Sequence, residues 1–510
     1  MALLEPAERR FAAALSGLTF ANPFLTERME LEEAALGADF ERTGAVWSVD
    51  ADLDGLNPNL REIDAQIGRL LPELRERLIS GCSPSDADLE VYDELVLYRL
   101  YSKTQDDWRR LIDSPKQAGE AYRRFAAEAE QWLALPGVTW PSRHDAPFLF
   151  AWGFQMRRAF HHTFRHLYGS SLPAARLRAA VWESIFTHDR RRYRRVLWDR
   201  MGDLTTFIVG ASGTGKELVA RAIGLSRFIE FDAGEGRFVE DYQRGFHPVN
   251  LSALSPTLIE SELFGHARGA YTGALTDRTG WLESCGPLGT VFLDEIGELD
   301  PGLQVKLLRV LQARTFQRLG ETEERRFEGK IVAATHRDLA AEMAAGRFRE
   351  DVYYRLCSDV IRTPSLAEQL EDEPEDLRNL ILVLARRWLG AGEADALAEE
   401  VHAYVLRELG PGYDWPGNIR ELEQCVRNVL VRREYHPAAV GVGGADAGPA
   451  AALAAEVAAG SLDVEALLSR YTTLVYHLAG SYEEAARRLG VDRRTVKARV
   501  DPKWLEALRA

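Results

Sequence analysis

Apolar and polar positions alternate differently in successive stretches of the chain. Residues 1 to about 170 read as mostly helical. Within them Ser85 and Asp88 have the spacing of a capping box, leading into the apolar-rich "LEVYDELVLYRLY". From "TTFIVG" onward the pattern becomes apolar strand, glycine-rich turn and helix. Strand-like runs recur at "GTVFLDE" and "KIVAATH", as a parallel sheet with crossover helices requires. Helical spacing returns from about 366 to 436. The Gly, Ala and Pro content of "HPAAVGVGGADAGPAAALAAEVAAG" marks a linker, and the last fifty residues read as a small helical unit.

Composition narrows the classes. At 510 residues the chain is too long for a single core. A formal charge of -15 repels a polyanion, so contact with nucleic acid requires a local basic patch. Cys82, Cys285, Cys357 and Cys425 are far apart and show no ligand spacing, which points to reduced thiols of the cytoplasm. Glu5, Glu8, Arg9 and Arg10 stand where a signal peptide needs an apolar run, and no uncharged apolar stretch reaches membrane-spanning length. His162 and His166 share a helical face and could ligate a metal. Neither an HExxH glutamate nor a third ligand accompanies them, so an ordinary, partly exposed helix is expected. The basic run "HDRRRYRR", residues 188–195, is expected to be a solvated helix face.

The clearest chemistry lies in "GASGTGKE", residues 210–217, between an apolar strand and the helix "ELVARAI". Gly210, Gly213 and Gly215 let backbone N–H groups wrap phosphate oxygens, with Ser212 and Thr214 completing the cradle and Lys216 reaching the outer phosphates. Glu217 occupies the position where Ser or Thr normally helps to hold magnesium. In "TVFLDEIGELD" two carboxylates end a buried strand at its carboxyl edge, where phosphates lie in such sheets. Asp294 suits magnesium and Glu295 suits polarising a water for phosphoryl transfer. Alternatively both acids simply favour a helix N-terminus. Between these motifs lies "FGHARGAYTGALTDRTG", in which Gly269, Ala270, Gly273 and Ala274 bracket Tyr271 and Thr272. It reads as a flexible arm carrying a tyrosine at its tip.

From about 172 to 436 the chain resembles the AAA+ domain of the sigma-54-dependent transcriptional activators, the bacterial enhancer-binding proteins. "GASGTGKELVARAI", "VNLSAL", "LIESELFGHARGAYTGA", "GTVFLDEIGEL", "LQVKLLRVLQ", "ATHRDL", "GRFREDVYYRL" and "WPGNIRELE" occur in that family's order, and a glutamate after Lys216 is normal there. The resemblance implies an α/β AAA+ P-loop core over 172–365 and a helical lid over 366–436. It further implies a helical regulatory region over 1–171, a linker over 437–460 and a Fis-type helix-turn-helix over 461–510. Residues 1–171 carry no signature of the control modules the family places there.

By motif, residues 269–274 match the GAFTGA loop that contacts sigma-54, with Tyr271 replacing phenylalanine. Asn250 matches the residue that restrains the catalytic glutamate, Thr335 and His336 the sensor after the third core strand, and Arg420 the lid sensor. Arg349 and Arg355 match arginines that a neighbouring subunit contributes to the nucleotide, which implies a ring, usually a hexamer; as residues alone, each arginine could equally be a surface ion-pair partner. ATP and magnesium are the implied cofactors. Three departures stand out: the long approach "RRRYRRVLWDRMGDL", the expanded "EFDAGEGRFVEDYQRGF", and "AEQLEDEPEDL" in place of a proline- and arginine-rich connector.

"SYEEAARRLGVDRRTVKARV" supplies the basic patch. Ala485, Ala486 and Leu489 are expected to pack against Val496, leaving Arg493, Arg494, Thr495, Lys497 and Arg499 for DNA. Two functions of different class follow. One is an ATP-driven remodeller of the sigma-54 RNA polymerase closed complex, bound to upstream DNA. The other is a DNA-binding repressor or scaffold that uses ATP only to set its oligomeric state.

Overall fold

In the computed structural model the described residues are 3–42, 57–140, 145–253, 255–437, 453, 456–457 and 462–507. They form two compact units that divide between Val431 and Arg432. Most of the linker expected over 437–460 lies outside the described residues.

The first unit opens with seven long helices: α1 (Pro6–Phe20), α2 (Glu27–Leu36), α3 (Pro58–Ile79), α4 (Asp86–Asp113), α5 (Ala118–Leu133), α6 (Ala146–His166) and α7 (Leu172–Phe186). Ser85 caps α4 as its spacing predicts. Its Oγ accepts from the Asp88 N–H at 3.2 Å, and its own N–H donates to the Asp88 carboxylate at 3.2 Å. Helix α6 is buried on every face from Phe148 to Ala159 and is the centre of this layer. Gly153 lets it approach α4: a Cβ there would stand 2.0 Å from the Trp108 ring.

A five-stranded parallel sheet follows. Its strands are β1 (Thr206–Val209), β4 (Phe246–Asn250), β5 (Thr290–Asp294), β8 (Lys330–Thr335) and β9 (Asp359–Arg362), in the order β4-β5-β8-β1-β9. Between β1 and β4 come helix α8 (Lys216–Gly224) and the hairpin β2 (Phe231–Asp232) with β3 (Arg237–Phe238). Further along are α9 (Pro256–Phe264), α10 (Trp281–Ser284) and α11 (Pro301–Ala313). The hairpin β6 (Thr315–Phe316) with β7 (Arg325–Arg326) comes next, and then α12 (Leu339–Ala344) and α13 (Glu350–Leu356). The lid comprises α14 (Leu366–Asp372), α15 (Asp376–Leu389), α16 (Ala391–Glu408) and α17 (Asn418–Arg432).

Strand alternation divides the core. Ile208, Phe292, Val332, Ala334 and Ile361 face α8 and join one continuous apolar core with the N-terminal helices. Phe207, Val291, Leu293, Ile331 and Ala333 face the opposite way, into the core of α9, α11 and α13. Burial on both faces explains why these strands read as unbroken apolar runs.

The three departures from the family pattern all hold the N-terminal layer or the lid in place. The expanded segment after α8 is the β2–β3 hairpin. Its Phe231 ring lies 4.9 Å from Phe150 and its Phe238 ring 4.4 Å from Phe154, both on α6, and the Tyr242 hydroxyl donates to the Leu111 carbonyl. The acidic connector places Asp376 where its carboxylate accepts the N–H groups of Ser170 (2.7 Å) and Ser171 (2.9 Å), while Asp372 accepts that of Leu172 (2.7 Å).

The basic run is a solvated helix face only in part: His188, Arg191, Arg192 and Arg195 are exposed. Residues 190–197 form a helical turn that passes into a π-helical one, and Arg190 and Arg194 are buried rather than solvated. Arg194 pairs with buried Asp93 at 2.7 Å and Arg191 with buried Glu94 at 2.6 Å. The partners lie on α4, about a hundred residues earlier in the chain (separations of 101 and 97). Local charge counting could not reveal them.

The second unit contains α18 (Val464–Ala479), α19 (Tyr482–Leu489), α20 (Arg493–Arg499) and α21 (Pro502–Ala507). Ala485, Ala486 and Val496 form its small core, with Leu489 packed against them, as expected. Gly490, at φ 66°, makes the turn, and Asp492 caps α20 by accepting from the N–H groups of Arg494 (2.7 Å) and Thr495 (3.0 Å). Among the described residues no helix is long and apolar enough to cross a membrane.

Replacing Phe238 by alanine should cost about 3–5 kcal/mol of stability. We expect a lower first melting transition and faster proteolytic cleavage between residues 230 and 245. An unchanged melting curve would show that the hairpin does not brace α6.

Candidate nucleotide-binding site

The site is built where β1 and β5 end. Residues Gly213 to Glu217 line a pocket of about 420 Å³ together with Asp294, Glu295 and Arg420. Gly213 (φ 81°) and Gly215 (φ 89°) have left-handed backbones that a side chain resists, and a Cβ on Gly213 would meet the Gly417 carbonyl at 2.2 Å. The Lys216 ammonium is buried and donates to the carbonyls of Gly210 (2.9 Å) and Ala211 (3.1 Å). Burial lowers its pKa, against the opposing pull of Glu295 and Asp294. Thr214 shares a 2.7 Å hydroxyl contact with Thr363 and donates to Ala211 O at 2.9 Å, so it braces the loop from below. Glu217 is paired with Arg221 at 3.2 Å.

The carboxylates differ in their surroundings. Burial, and secondly the charge of Glu295, raise the pKa of Asp294, with Lys216 opposing. Glu295 sits at φ 57°, ψ 50°, a left-handed conformation costly for a non-glycine residue. Its Oε2 accepts the His336 N–H (3.2 Å) and the Thr335 hydroxyl (3.4 Å), and it lies 2.7 Å from His336 Nδ1. Thr335 and His336 thus reach the pocket through Glu295 rather than lining it. Asn250 stands in register with Asp294 across β4 and β5. Its amide oxygen is taken by the Ser252 N–H (3.0 Å) and hydroxyl (2.8 Å), and the hydrogen bonds described for Glu295 come from Thr335 and His336.

The lid closes the other side. Arg420 donates to Ser212 Oγ at 3.1 Å, and Asn418 donates to Ser212 O at 3.0 Å while accepting the Leu366 N–H at 2.8 Å. Asn418 and Thr363 are residues that motif reading passed over. Trp415 (φ 48°) and Asn418 (φ 53°) are both left-handed, so the turn "WPGN" is strained, and that dense turn was the available signal. The apolar end of the pocket is formed by Leu167, Tyr168, Leu177, Leu380 and Leu384, with the Arg387 guanidinium 5.7 Å over the Tyr168 ring.

Other expected residues lie elsewhere. Arg349 stands at the N-cap position of α13 outside the pocket and pairs with Asp351 at 2.7 Å, and Arg355 is exposed on the same helix. His166 lines the pocket, its pKa lowered to about 4 chiefly by burial, with its ring stacked 6.1 Å from that of His162. Among the described residues no group of three metal-ligating side chains gathers there or elsewhere. The 269–274 turn is closed by hydrogen bonds from Gly269 N to Ala274 O (2.8 Å) and from Ala274 N to Tyr271 O (3.0 Å). Tyr271 lies edge-on against buried His266 at 5.1 Å, so Thr272 and Gly273 are exposed at the tip instead. Arg493, Arg494, Lys497 and Arg499 are exposed on α20, with Arg493 held 2.9 Å from Glu483, and Thr495 is half-buried.

Comparison with known proteins follows the same lines. Residues 188–362 match the family described as Sigma-54 interaction domain. The transcriptional regulatory protein ZraR of Escherichia coli K12 is 39% identical over 307 residues, covering 58% of this chain and 63% of that protein. The DNA-binding transcriptional regulator NtrC of Azospirillum brasilense is 43% identical over 236 residues, covering 46% and 45%. The Nif-specific regulatory protein of Azotobacter vinelandii is 41% identical over 230 residues, covering 45% and 40%. The chain therefore spans less than two thirds of the length of these curated relatives. A crystal structure of NtrX from Brucella abortus in complex with ATP is 23% identical with a TM-score of 0.39, covering 72% of this chain and 76% of that one.

Asp294→Asn should stabilise the nucleotide-free protein. A carboxyl whose pKa is raised by folding is most favourable when protonated, and its contribution falls as pH rises from its unfolded value of about 4. The variant's melting temperature should exceed the parent's at pH 7 and converge with it near pH 4. Equal melting at neutral pH would refute the strained-carboxylate reading.

Proposed function

We propose that this protein is a cytoplasmic ATPase that binds upstream double-stranded DNA and remodels the sigma-54 RNA polymerase closed promoter complex so that the promoter opens. One observation carries the reading: the Asp294–Glu295 pair stands at the carboxyl edge of the sheet beside Lys216, inside a segment that matches the Sigma-54 interaction domain. Phosphoryl transfer demands positioned cations around the phosphates and a group that orients water, and this pocket assembles both.

Magnesium with ATP takes one or two protein carboxylates and finds its remaining ligands in phosphate oxygens and water. Asp294, a part-buried carboxylate whose pKa burial and Glu295 push up, suits such a cation. When bound, the ion supplies neutralising charge to the phosphates. Lys216 holds the outer phosphates, the N–H groups of Gly210 to Glu217 wrap them, and Glu295 orients the attacking water. Thr335 and His336 hold Glu295, and Asn250, in register with the adjacent Asp294, restrains Glu295 until loop and nucleotide are coupled. Arg420, tied to Ser212, reports the nucleotide state to the lid.

Arg349 and Arg355 complete a neighbour's site, since they are exposed and lie outside the pocket of their own chain. Hydrolysis then requires a ring, which we take to be a hexamer. Residues 269–274 touch sigma-54 through the exposed Thr272–Gly273 tip, with Tyr271 released from His266. Arg493, Arg494, Thr495, Lys497 and Arg499 on α20 bind DNA, which makes affinity fall steeply with salt.

Promoter opening by purified protein with sigma-54 polymerase tests this directly. Glu295→Ala should bind ATP but hydrolyse it about 10²–10⁴-fold more slowly, as loss of a general base does. Thr272→Ala should keep hydrolysis and lose opening. Assembly driven by magnesium and ATP without turnover would instead favour a repressor or scaffold that uses ATP only to oligomerise.

A further inference from the structure

A second cavity, of about 300 Å³, lies within the N-terminal helices. That size suits a molecule of one or two rings. Its wall is aromatic and apolar: Tyr98 from α4, Trp152, Met156 and Phe160 from α6, and Trp182 from α7. Two of the polar groups on it are donors left over. The indole N–H groups of Trp152 and Trp182 are buried and have no hydrogen-bond partner among the described residues. Buried donors left in that state are costly, and an acceptor on a ligand would satisfy them.

Arginines 28, 61 and 190 also line this cavity, against one carboxylate, Asp64. Asp64 is already engaged by Arg99 (3.2 Å) and the Ser102 hydroxyl (2.8 Å), and Arg28 by Glu32 (2.7 Å). Arg190 is buried. Its donors go to backbone carbonyls, Phe20 O at 2.8 Å and Ala21 O, and among the described residues no carboxylate lies within ion-pair distance. Desolvation accordingly lowers its pKa to about 9. A buried cation that lacks a counter-ion is costly and is relieved by an anion. Flat apolar walls, unsatisfied indole donors and a buried guanidinium that has ring and carbonyl contacts but no ion pair among the described residues together suit a planar hydrophobic anion.

The same two helices reach the nucleotide pocket. Helix α6 presents Phe160 to the cavity and His166 to the nucleotide site, and α7 presents Trp182 to the one and Ala174 and Leu177 to the other. Arg190 itself lies in the turn that leads from α7 toward β1. A ligand that shifts α6 or α7 therefore changes the apolar end of the nucleotide pocket, and the effect must be reciprocal.

We propose that this cavity is an effector site for a small aromatic carboxylate, coupled to the nucleotide pocket through α6 and α7. The test uses the full chain and three probes, benzoate, phenylacetate and indole-3-acetate, with benzyl alcohol as the uncharged counterpart. Calorimetry and tryptophan fluorescence should show saturable binding of at least one carboxylate, at one site per chain, with benzyl alcohol at least about tenfold weaker. Arg190→Met should remove that preference. Gln105→Trp, which fills the cavity from its wall, should abolish binding, with the fold of each variant checked by its melting temperature. ADP affinity should change in the presence of the bound probe, and probe affinity should change by the same factor with ADP.

No saturable binding by any of the three carboxylates up to about 10 mM, or binding that survives Gln105→Trp, overturns the site. Benzyl alcohol binding as tightly as the carboxylates overturns the ligand class, and an unchanged ADP affinity overturns the coupling. Because ADP binding is read rather than hydrolysis or promoter opening, the outcome is independent of any action on sigma-54 polymerase.

Discussion

The burial of α6 against the P-loop helix α8 is the contact on which the first unit depends. Because α6 is buried from Phe148 to Ala159 on all sides, it cannot lie on a surface and needs neighbours all round it. It finds them in α4, α5, α7, the β2–β3 hairpin and α8, whose Val219, Ala222 and Ile223 belong to the same core. The N-terminal layer and the nucleotide-binding sheet consequently share one interior. A change in the packing of either is felt by the other, since close-packed interiors transmit strain.

Polar tethers fix the relative position of these layers where apolar packing alone would allow sliding. Gln155 on α6 donates to Ser226 O at 3.0 Å and accepts from the Tyr193 hydroxyl at 2.9 Å, and the guanidinium of buried Arg158 donates to Arg227 O. Arg194 with Asp93 adds a buried ion pair. Such pairs contribute more to the uniqueness of an arrangement than to its net stability, because desolvation offsets most of their attraction. The lid is fastened in the same manner, with Asp376 receiving the backbone of residues 170 and 171.

Within the nucleotide site, strain and unfavourable charge collect on the residues assigned to the chemistry. Glu295 holds a left-handed backbone, Asp294 a carboxyl that burial disfavours as an anion, and Lys216 an ammonium that burial disfavours as a cation. The surrounding fold supports this through backbone hydrogen bonds in the glycine loop and through a lid turn that is itself strained at Trp415 and Asn418.

What the amino-acid sequence determined by itself was local. The strand periods, the capping box at Ser85, the glycine loop at 210–217 and the carboxylate pair at 294–295 depend on neighbours within a few residues, and such patterns can be read directly. The small core of Ala485, Ala486 and Val496 was legible for the same reason. Only the tertiary structure decided which way the charges of residues 190–194 face, because Asp93 and Glu94 lie roughly a hundred residues away. It alone placed Tyr271 on His266, set Thr335 and His336 on Glu295, and brought Thr363 and Asn418 under the phosphate loop. Those pairings depend on where strands and helices pack, and packing distance has no fixed relation to separation along the chain.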